Sequence, residues 1–124
     1  MEVSIFNPAV ALDNTAEMQF LELADFGPGS AGAFWSQAGG QSPWEMHPDC
    51  DELLQIIEGE IEVEVLPVGN GDSHVFSVPA GSSIVIPQGC WHRQTIMQKT
   101  RQFYLTPGQT FHSTAEDPRQ DKNR

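Results

Sequence analysis

The chain has 124 residues and a formal net charge of −11, from 17 acidic side chains against 6 lysines and arginines. That length suits one domain with one core, and that charge repels phosphate backbones and anionic bilayers, so neither nucleic acid nor a membrane surface is expected as a partner. No apolar run has the length of a bilayer span, and MEVSIFNPAV lacks a basic region ahead of a signal-peptide core, so a cytoplasmic location is expected.

Taken from the N-terminus, Val3, Ile5, Phe6 and Val10 supply enough apolar surface to pair as an edge strand or to cross to a partner subunit. Period-two patterning then predicts strands at Met18 to Ala24, Gly32 to Gln37, Pro43 to His47, Asp51 to Glu58, Glu60 to Val65, His74 to Val78, Ser83 to Ile86, His92 to Met97 and Arg101 to Thr106. The clearest is Glu60 to Val65, where Ile61, Val63 and Val65 share one face and three glutamates the other. Turn clusters separate the runs: Gly27-Pro28-Gly29, Gly39-Gly40, Gly69 to Asp72, Pro79 to Gly81, Pro87 to Gly89 and Pro107-Gly108. So many short strands without a strong helical pattern predict an all-β sandwich or barrel. From residue 113 onward the chain is almost wholly polar, and residues 113–124 are expected to be a loose tail without function.

Chemistry concentrates in two segments. In GQSPWEMHPDCDELLQIIEGE, Glu45 and His47 are two apart and leave the same face of an extended strand. A turn at His47 to Asp51 should return the chain antiparallel, and Glu52 then shares the parity of Leu54 and Ile56. A carboxylate aimed into an apolar layer is costly unless paired, protonated or bound to a cation, and a metal is the simplest explanation. On the opposite parity Leu53 and Ile57 are also apolar, so something covers the strand's second face: the N-terminal segment or a second copy, hence an expected homodimer. In the second segment a Pro87-Gln88-Gly89 turn ends the strand Ile84 to Ile86 and aims His92 towards the first.

Together these segments resemble the cupin superfamily. Its first motif, G-x5-H-x-H-x3,4-E-x6-G, is matched by Gly39, Glu45, His47, Glu52 and Gly59 with every spacing kept, and its second, G-x5-P-x-G-x2-H-x3-N, by Gly81, Pro87, Gly89 and His92. Glu45 stands where the first histidine would be, and Ile96 where the asparagine would be. The resemblance implies a single-domain, all-β jelly-roll barrel spanning residues 1–112, with a divalent metal on His47, Glu52 and His92 and Glu45 as a fourth ligand. Two histidines and one carboxylate suit Fe(II); a second carboxylate favours Mn(II) or Fe(II), while zinc, nickel and copper compete by affinity. For Glu45 three roles stand side by side: ligand, general base beside the metal, or strand glutamate turned to solvent.

Gln94, on the parity of His92, and Gln102 on a neighbouring strand are the candidates for orienting a small-molecule ligand. His74 and His112 are read as ordinary exposed histidines. Cys50 and Cys90 are too few for a disulfide framework and are expected as free thiols, small buried or loop residues beside the two motifs. Three functions are compatible with the whole: a metal-dependent dioxygenase or isomerase acting on a small oxygen-bearing molecule, a non-catalytic module binding a sugar-like ligand or sensing a metal, and a metal-free barrel.

Overall fold

A computed structural model of the chain describes residues 1–106 and 108–121; Pro107, in an expected turn, and residues 122–124, in the expected tail, lie outside the described residues. The nine period-two segments become strands and a tenth, unpredicted one follows them: β1 (Leu21–Phe26), β2 (Gly29–Ser36), β3 (Trp44–Met46), β4 (Glu52–Glu58), β5 (Glu60–Val65), β6 (His74–Pro79), β7 (Ser83–Ile86), β8 (His92–Ile96), β9 (Thr100–Thr106) and β10 (Phe111–Ser113). They form two five-stranded antiparallel sheets, in the orders β1-β2-β9-β4-β7 and β10-β3-β8-β5-β6, the jelly-roll sandwich of the sequence reading. No helix among the described residues is long and apolar enough to cross a membrane.

Parity sets the core. Leu54 and Ile56 of β4 and Ile61 and Val63 of β5 face inward, and with Val78, Ile86 and Ile96 they close one end of the sandwich. Burying each such side chain contributes about 1.5–3 kcal/mol. Gly59 joins β4 to β5 at φ +94, and a Cβ there would lie 2.4 Å from the Lys99 carbonyl oxygen, so this turn admits only glycine. A smaller cluster of Trp44, Leu66 and Trp91 packs beneath β3.

Three expectations are corrected. The turn after His47 does not build a hairpin: β3 pairs with β8 and β10, whereas β4 pairs with β7 and β9, so the chain changes sheets there. The N-terminus is not an edge strand. It forms a short helix, Pro8–Ala11, in which Asn7 caps the Val10 N–H at 3.2 Å, followed by a 3-10 turn, Leu12–Asn14, that buries Leu12. Phe6 stacks on Phe103 at 6.0 Å, and Arg101 bonds the Ala9 carbonyl and Asp13 at 2.7 Å each, so the first residues cover part of the outer face of the first sheet. The polar C-terminal segment is not loose as far as residue 121. Ser113 is buried and bonds Asp121 at 2.6 Å, Pro118 is buried, and Arg119 reaches the carbonyls of Pro67 and Gly71 at 3.0 Å each. Charge and backbone acceptors hold this segment, a mode of attachment that hydrophobic patterning does not report.

Candidate metal centre

Between the two sheets, bordering the aliphatic core, four of the singled-out side chains converge. Glu45 sits in β3, opposite His92 of β8 on one side and His112 of β10 on the other. His47 follows β3 directly, and Glu52 opens β4 in the facing sheet. The loop between them is clamped by the second motif: Gly89 N–H donates to the His47 carbonyl at 3.0 Å, Gln88 N–H to Asp51 at 2.8 Å, and the Gln88 amide to the Pro48 carbonyl at 2.6 Å. The proline-glycine turn therefore aims His92 and also fixes the loop that carries His47.

Both imidazoles are buried, with ring centroids 5.2 Å apart. His92 Nδ1 faces the Cys90 carbonyl at 3.2 Å, and His47 Nδ1 faces the Gln109 carbonyl at 3.4 Å and the Thr110 hydroxyl at 3.0 Å. A carbonyl can only accept, so each Nδ1 carries a hydrogen and Nε2 is the ring atom turned inward. Glu45, His47 and His92 bring one ligand atom each within 4.8 Å of one another.

Glu52 is buried and bridges the rings, 3.1 Å from His47 Nε2 and 3.2 Å from His92 Nε2. The Glu52 oxygen that faces His47 also accepts a hydrogen bond from the Thr106 hydroxyl. The approach to His47 lacks hydrogen-bond alignment, which leaves that buried Nε2 without a proper partner. Burial alone raises a carboxyl pKa, but the His47 and His92 imidazoles packed against it outweigh that and hold Glu52 at about 2. Burial likewise works against charge on His47, and Glu52 overcomes it, lifting His47 above its ordinary value.

Glu45 is partly exposed, with its carboxylate 4.0 Å from His92 Nε2 and 3.4 Å from His112 Nε2. Of the pocket candidates, Gln94 lines the cavity beside the site, whereas Gln102 is buried behind it and donates from its amide to Gln94 Oε1 at 2.8 Å. Gln102 thus positions Gln94 and touches no ligand space. The sequence reading gave no role to His112, Thr106 or Thr110. A three-residue strand such as β10 is too short to display a periodicity, and nothing in the sequence pairs it with Glu45. Both cysteines are free, and neither lines the cavity; burial pushes the Cys90 thiol up.

The family model for the cupin domain matches residues 36–97, half of the chain. The chain belongs to the cupin family. Among curated proteins it is similar to the uncharacterized protein YdbB of Bacillus subtilis (strain 168), 35% identical over 54 residues, or 44% of this chain and 43% of that one. The match thus spans less than half the length of this relative. Among solved structures, this cupin resembles the hydroquinone 1,2-dioxygenase of Sphingomonas sp. TTNP3 crystallised with 4-hydroxybenzoate, with a TM-score of 0.66 at 16% identity, covering 83% of this chain and 74% of that one. It also resembles the conserved SPY1581 protein of unknown function from Streptococcus pyogenes, with a TM-score of 0.66 at 17% identity, covering 88% and 90%. At such identities the likeness is one of fold.

Proposed function

We propose that this cupin holds a divalent metal ion on His47, His92 and Glu45, with Glu52 as a further ligand, and uses it to transform a small oxygen-bearing molecule. The observation that carries this reading is the pair of buried imidazoles whose Nδ1 atoms are tethered to backbone carbonyls while their Nε2 atoms converge on Glu52, with Glu45 within ligand reach of both rings. Carbonyl tethers of this kind orient metal-ligating histidines generally. The misaligned His47 Nε2 gives the fit a second support, because a buried nitrogen without a hydrogen-bond partner is satisfied by an ion at that point. Two imidazoles and two carboxylates suit Fe(II) or Mn(II), and such an ion, when bound, supplies Lewis acidity and, for iron, access to oxygen chemistry.

The protein's own groups have separable roles. Glu45, flanked by His92 and His112 and partly exposed to the cavity, is placed to take a proton from a bound hydroxyl, a need shared by oxygenation and isomerisation. Gln94, braced by Gln102, presents a polar group to orient the ligand. The fold-level likeness to a hydroquinone 1,2-dioxygenase makes dioxygenation the first reaction to test.

The test is elemental analysis of untagged, chelator-free protein beside a His47→Ala/His92→Ala variant, followed by oxygen-consumption assays on a panel of phenols and enediols. Near-stoichiometric iron or manganese that vanishes in the variant, with the fold retained by circular dichroism, is the expected result. Wild-type protein that takes up no metal after reconstitution with each ion would overturn the reading in favour of a metal-free binding barrel.

A further inference from the structure

The cavity beside the site encloses about 1120 Å³ and carries a pronounced asymmetry of charge. Glu45 and Glu52 lie within it, and Glu17, Glu22 and Asp25 line its outer part, yet no lysine or arginine among the described residues reaches it. Each described cation is engaged elsewhere. Arg93 bonds Glu64 at 2.8 Å and lies over the Trp44 ring, and Lys99 lies over the Trp35 ring. Arg101 bonds Asp13 and Arg119 bonds Asp117. A bound carboxylate or phosphate would thus meet five acidic side chains with no guanidinium or ammonium to receive it, and the cavity imidazoles of His47 and His112 each already stand beside a carboxylate.

Beside these acids the wall is aromatic, with Phe34 and Tyr104 in the same sheet as Glu22 and Glu52. Phe20 and Phe34 lie with ring centroids 4.4 Å apart, and Tyr104 sits 6.3 Å from each. Tyr104 lies across the backbone of Gly32, its register partner, where a Cβ would be 2.3 Å from the phenolic oxygen. The missing side chain at Gly32 therefore lets the tyrosine lie flat as part of the wall. Aromatic faces favour a planar apolar ligand or a cation, and they gain nothing from an anion.

Resting on the reading of this cavity as a small-molecule site, we infer that it selects uncharged or cationic planar molecules, of the phenol or enediol type, and rejects anionic ones such as sugar acids, keto acids and phosphate esters. A ligand hydroxyl would point to the histidine end and its planar body would lie against Phe34 and Tyr104.

Three para-substituted phenols of matched size test this: 4-hydroxybenzamide, 4-(aminomethyl)phenol and 4-hydroxybenzoate, titrated by calorimetry against the full chain with and without bound Mn(II). Without metal, the amide and the amine are expected to bind at least about tenfold more tightly than the carboxylate, the scale of one unpaired charge among like charges. A Glu22→Gln/Asp25→Asn variant, altered only at the exposed rim, should narrow that gap. Carboxylate binding as tight as the amide in metal-free protein, or no binding of any of the three at millimolar concentration, overturns the inference. A protein that takes up no metal but keeps the charge preference would sink the metal reading and leave this one standing; metal uptake with a preference for the carboxylate in both states would do the reverse.

Discussion

Thr106 shows how much a single hydroxyl contributes at this site. Glu52 enters a buried layer between two imidazoles, and one of its oxygens also accepts from the Thr106 hydroxyl. Replacing Thr106 by valine keeps the shape and removes the donor, leaving a buried carboxylate oxygen short of a partner. The expected cost is about 1–2 kcal/mol in chemical denaturation of the metal-free protein. Equal stability would mean that the imidazoles alone satisfy Glu52. Glu45 is the complementary case: the sequence leaves it open between ligand, base and solvent-facing glutamate, and its position between His92 and His112 in register is compatible with the first two. The rotamer and the neighbouring strand decide this, and neither is encoded within the motif.

At the scale of elements, the strand junctions carry the strongest constraints. Gly59 turns β4 into β5 with positive φ, pressed against the Lys99 carbonyl and Thr100. Gly59→Ala should therefore destabilise by more than about 1 kcal/mol, read from the denaturant midpoint, because both the dihedral angle and the space are refused. Between β5 and β8, Glu64 stands opposite Arg93 and also accepts from Ser73. Burial pushes the Glu64 carboxyl up, but Ser73 and Arg93 outweigh it and hold it below 4.5. A depressed carboxyl stabilises the fold above its unfolded value of 4.5 and loses that contribution as pH falls through its lowered folded value. Arg93→Gln should therefore flatten the acid side of the stability profile below pH 4.5, measured by thermal melts across pH. The solvent access of this pair keeps the effect modest.

For the whole molecule, the open question is what covers the rest of the first sheet's outer face. Phe6 shields Phe103, but Val3, Ile5 and Val85 stay exposed, and Leu53 and Ile57 are only half-buried. Exposed apolar side chains in such number on a small protein suit an interaction surface. The expected outcome is a homodimer through this face, seen by light scattering as twice the 13.7 kDa chain mass. A chain-mass particle at micromolar concentration, with Ile5→Glu and Val85→Glu variants unchanged in mass, would refute it.

Local periodicity determined most of the strands, because a half-buried strand must alternate, and the parity of Leu54, Ile56, Ile61 and Val63 predicts their burial directly. The two motifs likewise brought Glu45, His47, Glu52 and His92 into view, since proline and glycine spacing dictates where the backbone bends. Tertiary structure alone decided the rest. The chain changes sheets after His47 because pairing partners are chosen by packing across the sandwich, at sequence separations no local pattern reports. His112 reaches Glu45, and Arg119 anchors a polar segment, through strand register and backbone carbonyls contributed by distant loops. The anion-averse cavity is a property of the same kind. Its selectivity depends on where the four described cations are engaged, and only the folded arrangement shows that none of those four lines the cavity.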